Sequence, residues 1–284
     1  MTTFVITGAS GQLGRLVIDV LLRRVPAERI VAAVRNIERA SDIAALGVQV
    51  RQADYNHPAS LEAAFQGADR LLLISSSEIG QRTRQHQAVI DAAKRSGVKR
   101  LAYTSVLHAD TSVLALAQEH RETEAAIHDS GLPFVLLRNG WYTENYTAGM
   151  ASALSMGAVY GCAGEGRIAS AARADYAEAA ATILTSDDPD GQIYELAGDS
   201  AYTLSDFAAA ISRQVGKTIN YVNLPEADYR TALIGAGLPE PLAGLLADSD
   251  TGASQGALFD DGRQLSQLLG RPTTGLDAAI KAAL

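Results

Sequence analysis

The first turn of the chain constrains it most. Val5-Ile6 lead into Thr7-Gly8-Ala9-Ser10-Gly11-Gln12-Leu13-Gly14, and an amphipathic helical stretch follows from Gln12 to about Arg24. Strand, glycine turn and helix is the order that a dinucleotide pyrophosphate requires. Gly8 can take the tight turn, Gly11 has no Cβ to hold the backbone away from phosphates, and Gly14 lets the helix pack against the strand. The helix start then offers N–H groups and its positive dipole end to the anion. Glycine-rich turns also serve purely conformational ends. The position between strand and helix at the head of the chain is what favours nucleotide binding here.

The choice of dinucleotide falls about twenty residues further on, at the end of the second strand. A free ribose 2′-hydroxyl is held there by Asp or Glu, and a 2′-phosphate by a cation. Ile30-Val31-Ala32-Ala33-Val34 reads as a buried strand, and it ends in Arg35-Asn36 with no carboxylate before Glu38. The expected cofactor is NADPH. The Arg35 guanidinium can grip the phosphate bidentately and stack on adenine, which a lysine does less well.

Composition removes other classes. The 284 residues allow one large or two modest domains, and 47% apolar content is ample for a core. No apolar run approaches the roughly 18 residues of a membrane span, so no membrane partner is expected. Met1-Thr2-Thr3 runs into the first strand with no charged-then-apolar leader, which gives the expectation of a cytoplasmic protein starting here. The single cysteine, Cys162, has no partner for an internal disulfide and no neighbouring His or Cys for zinc, and no metal site is expected. A net charge of −8 with scattered basic residues argues against a nucleic-acid partner.

Strand-like and helical segments alternate through the first half. Further strands are expected at Val48 to Gln52, Arg70 to Ile74, Arg100 to Thr104 and Phe134 to Arg138, with helices near Pro58 to Phe65, Gln81 to Ser96 and Val113 to Asp129. The expected fold is α/β, a Rossmann-type doubly wound parallel sheet with a smaller α+β C-terminal cap. Residues 1–155 form the NADP-binding domain of this scheme, and 156–284 a smaller substrate-capping region interleaved with the sheet. In that second half, strands are expected at Ile193 to Leu196 and Ile219 to Val222, and helices near Ala174 to Leu184, Leu204 to Val215 and Ala227 to Ala236. Pro239, Pro241 and Asp248-Ser249-Asp250-Thr251-Gly252 are expected to break the pattern further.

In such a sheet the ligand crevice lies at the carboxyl ends of the strands. The fourth strand ends in Ser75-Ser76-Ser77-Glu78, the fifth in Tyr103-Thr104-Ser105 and the sixth in Arg138-Asn139-Gly140-Trp141-Tyr142. Small hydroxyl residues leave room beside a ribose and can hydrogen bond to it. Asn139 offers a carbonyl and an amide to a carboxamide, and Trp141 and Tyr142 supply flat apolar surface for a ring.

Gly8-Ala9-Ser10-Gly11-Gln12-Leu13-Gly14, Val34-Arg35-Asn36 and Leu137-Arg138-Asn139-Gly140-Trp141-Tyr142 resemble the NmrA-like branch of the atypical short-chain dehydrogenases. Leu72 to Glu78, Leu107 to Ser112, Leu196 to Ser200 and Leu246 to Asp250 resemble, more narrowly, the bacterial NADPH:quinone oxidoreductases of that branch. The resemblance spans essentially the whole chain. It implies NADPH-dependent reduction of a small-molecule quinone, with a homodimer as an allowed assembly. It also implies a nucleotide held by Gly8, Ala9, Ser10, Gly11, Gln12, Leu13, Arg35, Ser75, Ser76, Ser77, Asn139, Gly140, Trp141, Tyr142, Thr143 and Glu144. Triphenylmethane-dye reductases share the glycine turn and are less similar around Ser75 to Ser77 and His108 to Ser112.

One expected element of the wider family is missing. Short-chain dehydrogenases of alcohols and carbonyls carry a Tyr-x-x-x-Lys pair on the helix after the fifth strand, the tyrosine donating a proton to the substrate oxygen. When Glu124 is aligned with the acidic residue of resembling proteins, Leu116 takes the tyrosine position and His120 the lysine position. Quinone reduction asks for less, because hydride addition leaves a delocalised hydroquinone anion that water can protonate, and catalysis reduces to positioning. His120 and Asn139 are the candidate catalytic residues. His120 stays open between a contact to ribose or substrate and a satisfied helix histidine. A second class also stays open, an NADP(H)-sensing regulator without turnover, because the nucleotide-binding half is common to both.

Overall fold

The computed structural model describes residues 2–284. In chain order its elements are β1 (Phe4–Ile6), α1 (Gln12–Leu21), β2 (Ile30–Val34), α2 (Ser41–Ala44), β3 (Gln49–Gln52), α3 (Pro58–Phe65), β4 (Arg70–Leu73), α4 (Arg82–Arg95), β5 (Arg100–Val106), α5 (Ala117–Ser130) and β6 (Phe134–Asn139). There follow α6 (Glu144–Thr147), α7 (Met150–Met156), β7 (Ala158–Gly161), α8 (Arg173–Thr185), β8 (Gln192–Leu196), α9 (Leu204–Val215), β9 (Asn220–Asn223), α10 (Glu226–Gly235), α11 (Glu240–Ser254), α12 (Gln264–Leu269) and α13 (Leu276–Ala283). The chain divides into two compact units. The first comprises 1–106, 119–138 and 176–194, and the second 107–118, 139–175 and 195–284.

The seven-stranded sheet runs β3-β2-β1-β4-β5-β6-β8. Every residue of β2 is buried, as a strand covered on both faces must be, and its Val/Ile/Ala run reads that way. β1 pairs in parallel with β2 through Phe4↔Ile30 and with β4 through Phe4↔Arg70. The strand order therefore reverses between β1 and β4, and the carboxyl ends of these two strands mark the switch point where such sheets bind ligands. Thr7 extends the β1/β4 ladder by one bond, its N–H donating to Leu72 O at 3.0 Å. Val5, Leu71, Leu101 and Tyr103 pack with Leu61 and Phe65 of α3 and Val89 and Ile90 of α4 into a single core. The expected doubly wound parallel sheet is what the chain forms.

Three local expectations need correction. α1 closes at Leu21, short of Arg24, where the chain tightens into turns, Arg23 N donating to Val20 O at 3.1 Å and Arg24 N to Leu21 O at 2.8 Å. α5 begins at Ala117, so Leu116 lies in the turn ahead of the helix and not on it. The largest correction concerns 239–254. Instead of a break there is a helix, α11, with Pro239 at its N-cap and Pro241 in the first turn, where a missing N–H costs nothing. Ser249 Oγ donates back to Leu245 O at 2.7 Å, and Asp250 accepts from Tyr146 Oη and Cys162 N at 3.0 Å each. Residues that favour turns thus sit mid-helix because their side chains find partners there. The second unit also contains the short parallel pair β7/β9, of which β7 was not expected.

Candidate active site

The glycine turn is built as its spacing requires. Gly8 has φ +57°, and the Gly11 N–H donates to Gly8 O at 2.9 Å to close the turn. A Cβ on Gly14 would lie 2.5 Å from Gly8 O and 2.7 Å from Ala9 Cα, so only glycine lets α1 approach this closely. A Cβ on Gly11 would meet only Gly8 O, at 3.1 Å. Gly8, Ser10, Gly11 and Gln12 are exposed, whereas Ala9 and Leu13 are buried beneath them. No side chain caps the start of α1, so its first N–H groups are available to an anion.

At the end of β2 the Arg35 side chain is 71% exposed, and its Nη1 lies 3.1 Å from Glu78 Oε1. Glu78 also accepts from Gln85 Nε2 at 2.7 Å. The sequence showed no carboxylate near Arg35; the fold supplies one from the fourth strand's loop. Ser75 to Ser77 lie together at the end of β4, and this loop is strapped to the helices beside it. Ser75 N donates to Thr104 Oγ1 at 2.9 Å, Ser76 N to His86 Nε2 at 2.9 Å, and Arg82 Nε to Ser76 O at 2.8 Å. Accepting at Nε2 leaves the His86 proton on Nδ1, which faces Thr123 Oγ1 at 3.0 Å. Burial, with the Arg82 charge nearby, pushes the His86 imidazole down to about 3. His86 gave no signal in the sequence, because a histidine within a helical stretch discloses neither its burial nor the loop it meets.

His120 is 4% exposed and its Nδ1 lies 2.7 Å from Tyr103 Oη. Burial first, and then the Arg82 charge, holds this imidazole well below its ordinary range, so it is neutral at pH 7. Burial likewise raises the Tyr103 phenol. The pair is a buried hydrogen bond between two neutral groups, which gives His120 a structural partner in the core.

The second unit, taken by itself, holds Asn139 and the segment after it. Gly140 N donates to Leu196 O at 2.7 Å, Ala171 N to Trp141 O at 3.1 Å, and Thr143 N to Ala171 O at 3.0 Å. Thr143 Oγ1 lies 2.8 Å from Ser170 Oγ, and both Glu144 carboxylate oxygens accept the Arg173 N–H, at 2.9 and 3.0 Å. Trp141 is buried at 8% exposure, and Tyr142 is half-buried. Asn139 is 6% exposed; its Nδ2 reaches Tyr142 Oη at 3.5 Å, while its Oδ1 has no hydrogen-bond partner. A buried acceptor left without a donor is costly, and an amide N–H from a ligand would satisfy it.

In the first unit, a turn closed to side chains, an uncapped helix start and an exposed cation at the end of β2 fit a dinucleotide; in the second, the Asn139 carbonyl at the end of β6 lacks a donor. Among the described residues no group of three or more His, Cys, Asp or Glu is placed to hold a metal ion, and no helix is long and apolar enough to cross a membrane.

A family model described as NAD(P)H-binding matches residues 8–187. The chain belongs to this NAD(P)H-binding family. Quinone oxidoreductase 2 of Escherichia coli is 57% identical over 275 residues, covering 97% of this chain and 96% of that protein. The crystal structure of the NADPH-dependent quinone oxidoreductase from Escherichia coli complexed with NADPH superposes with a TM-score of 0.96 at 56% identity, over 99% of both chains. The Citrobacter sp. triphenylmethane reductase complexed with NADP(H) gives a TM-score of 0.95 at 38% identity, over 99% of this chain and 100% of that one.

Proposed function

We propose that this chain is an NADPH:quinone oxidoreductase that works without a Tyr/Lys catalytic pair. The observation that carries the reading is the 57% identity, spread over both units, to a quinone oxidoreductase. The local chemistry supports it: Leu116 cannot donate a proton, and His120 is neutral and bonded to Tyr103. A carbonyl or alcohol substrate would need the missing acid; a quinone does not.

When bound, NADPH supplies a hydride from its nicotinamide ring, and the protein's task is placement. The turn from Gly8 to Leu13, with the uncapped start of α1, receives the pyrophosphate, and Arg35 receives the 2′-phosphate. Ser75 to Ser77 contact the sugar, on a loop whose backbone His86 and Arg82 hold fixed. Asn139 Oδ1 accepts from the carboxamide, within the segment Asn139, Gly140, Trp141, Tyr142, Thr143 and Glu144. Tyr142, with Trp141 buried next to it, offers ring surface to the quinone. Water supplies the proton that completes the hydroquinone. Residues 1–155 act as the NADP-binding domain and 156–284 as the substrate-capping region of a cytoplasmic enzyme that needs no nucleic acid and has a homodimer open to it.

Arg35→Ala tests the cofactor assignment. NADPH affinity should fall by about 1.5–3 kcal/mol, the scale of a hydrogen bond to a charged group, with NADH affinity nearly unchanged. Fluorescence titration with both cofactors measures it, and equal losses would remove Arg35 from the phosphate site.

A further inference from the structure

Arg173 opens α8, and its guanidinium carbon lies 4.6 Å from the centroid of the Tyr142 ring. It is the one arginine among the described residues of the second unit that is not exposed; Arg167, Arg213, Arg230, Arg263 and Arg271 all are. Arg213, Arg230 and Arg271 are each matched by a carboxylate. Arg173 forms no such pair among the described residues, and the nearby Glu144 carboxylate is taken up by the Arg173 backbone N–H. A partly desolvated guanidinium without a counter-ion is unfavourable, and a ring face offsets only about 0.5–2 kcal/mol of that. Its five N–H donors lie beside Tyr142 and ask for an anion.

The proposed reaction itself makes one. A hydride brings two electrons and one hydrogen nucleus to the quinone, one carbonyl oxygen becomes a phenolate, and NADPH becomes NADP⁺. One proton from water then gives the hydroquinone. We infer that Arg173 is the electrophile of this step, donating from its guanidinium to the acceptor oxygen on which negative charge builds. The inference rests on the quinone-reductase reading above. It assigns to an arginine the charge stabilisation that the absent tyrosine would otherwise provide, without asking the arginine to give up a proton.

Arg173→Met and Arg173→Lys, checked for folding by circular dichroism, test this in two ways. With a benzoquinone, Arg173→Met should lose roughly 10²- to 10³-fold in kcat, the effect of removing a donor aimed at developing charge, with NADPH affinity unchanged. Arg173→Lys, which keeps the charge and loses the planar fork, should recover part of the loss. The second readout needs no turnover: 4-nitrophenol, whose phenolate is coloured, should ionise at lower pH when bound to the wild type than when free, and this shift should vanish in Arg173→Met. A kcat within twofold of wild type would overturn the inference. So would a fall in NADPH affinity that accounts for the whole loss, which would make Arg173 a cofactor-phosphate ligand. A wild-type protein without quinone turnover defeats the reductase reading, and an unshifted nitrophenol titration defeats the role of Arg173, so the two failures are separable.

Discussion

Gly14→Ala should abolish measurable NADPH binding and destabilise the fold. The new Cβ would meet Gly8 O at 2.5 Å and Ala9 Cα at 2.7 Å, and both are backbone atoms of a turn fixed by the β1/β4 ladder. No rotamer change relieves that. α1 must move away from the turn, at a cost of about 1–3 kcal/mol by analogy with overpacked cores, and the N–H groups meant for the pyrophosphate move with it. Gly11→Ala is the control. Its Cβ meets only Gly8 O at 3.1 Å, so the fold should survive while the phosphates are obstructed. Thermal unfolding and cofactor titration of both variants test the pair; a Gly14→Ala protein that binds NADPH like the wild type would place the phosphates elsewhere.

His120→Ala should cost stability far more than it costs rate. Removing the imidazole leaves the buried Tyr103 hydroxyl without the partner 2.7 Å away, a loss of about 1–3 kcal/mol, with a further cavity cost. Turnover with a quinone should fall by less than about tenfold, well short of the 10²- to 10⁴-fold that follows loss of a general acid. The pH dependence gives an independent check. His86 and His120 both have folded pKa values depressed below 6.5, so the unfolded chain takes up protons that the folded one refuses. Their contribution to stability is whole above about pH 6.5 and declines as pH falls, by about 1.4 kcal/mol per pH unit per histidine. His120→Ala should therefore lose one proton's worth of that slope in urea titrations between pH 7 and pH 5. If His120→Ala eliminates turnover while NADPH and quinone still bind, the histidine has taken the place of the missing tyrosine and the acid-free mechanism fails.

The residues that proved legible in the sequence are those whose role is set by neighbours in the chain. Gly8, Gly11 and Gly14 announce a turn because strand, turn and helix are contiguous, and the all-buried β2 is visible in its Val/Ile/Ala run. What stayed hidden depends on partners brought together from far apart. His86 meets Ser76 across a loop, Glu78 reaches Arg35 across β1, and Arg173 covers Tyr142 from the start of α8. α11 stays hidden for the same reason. Pro239, Pro241, Ser249 and Asp250 favour a break when judged locally, yet the helix runs through them, and Asp250 accepts from Tyr146 and Cys162, which are distant in the chain. Burial alone pushes that Asp250 carboxyl up to about 6, a property no local pattern of residues discloses.

Anaerobic stoichiometry tests two-electron transfer from NADPH to a quinone. The wild-type protein is mixed with NADPH and a benzoquinone, and the cofactor consumed is compared with the hydroquinone formed. One hydroquinone per NADPH, no semiquinone radical released, and a clear preference for NADPH over NADH are expected. No quinone-dependent oxidation of NADPH, or equal use of the two cofactors, would contradict this.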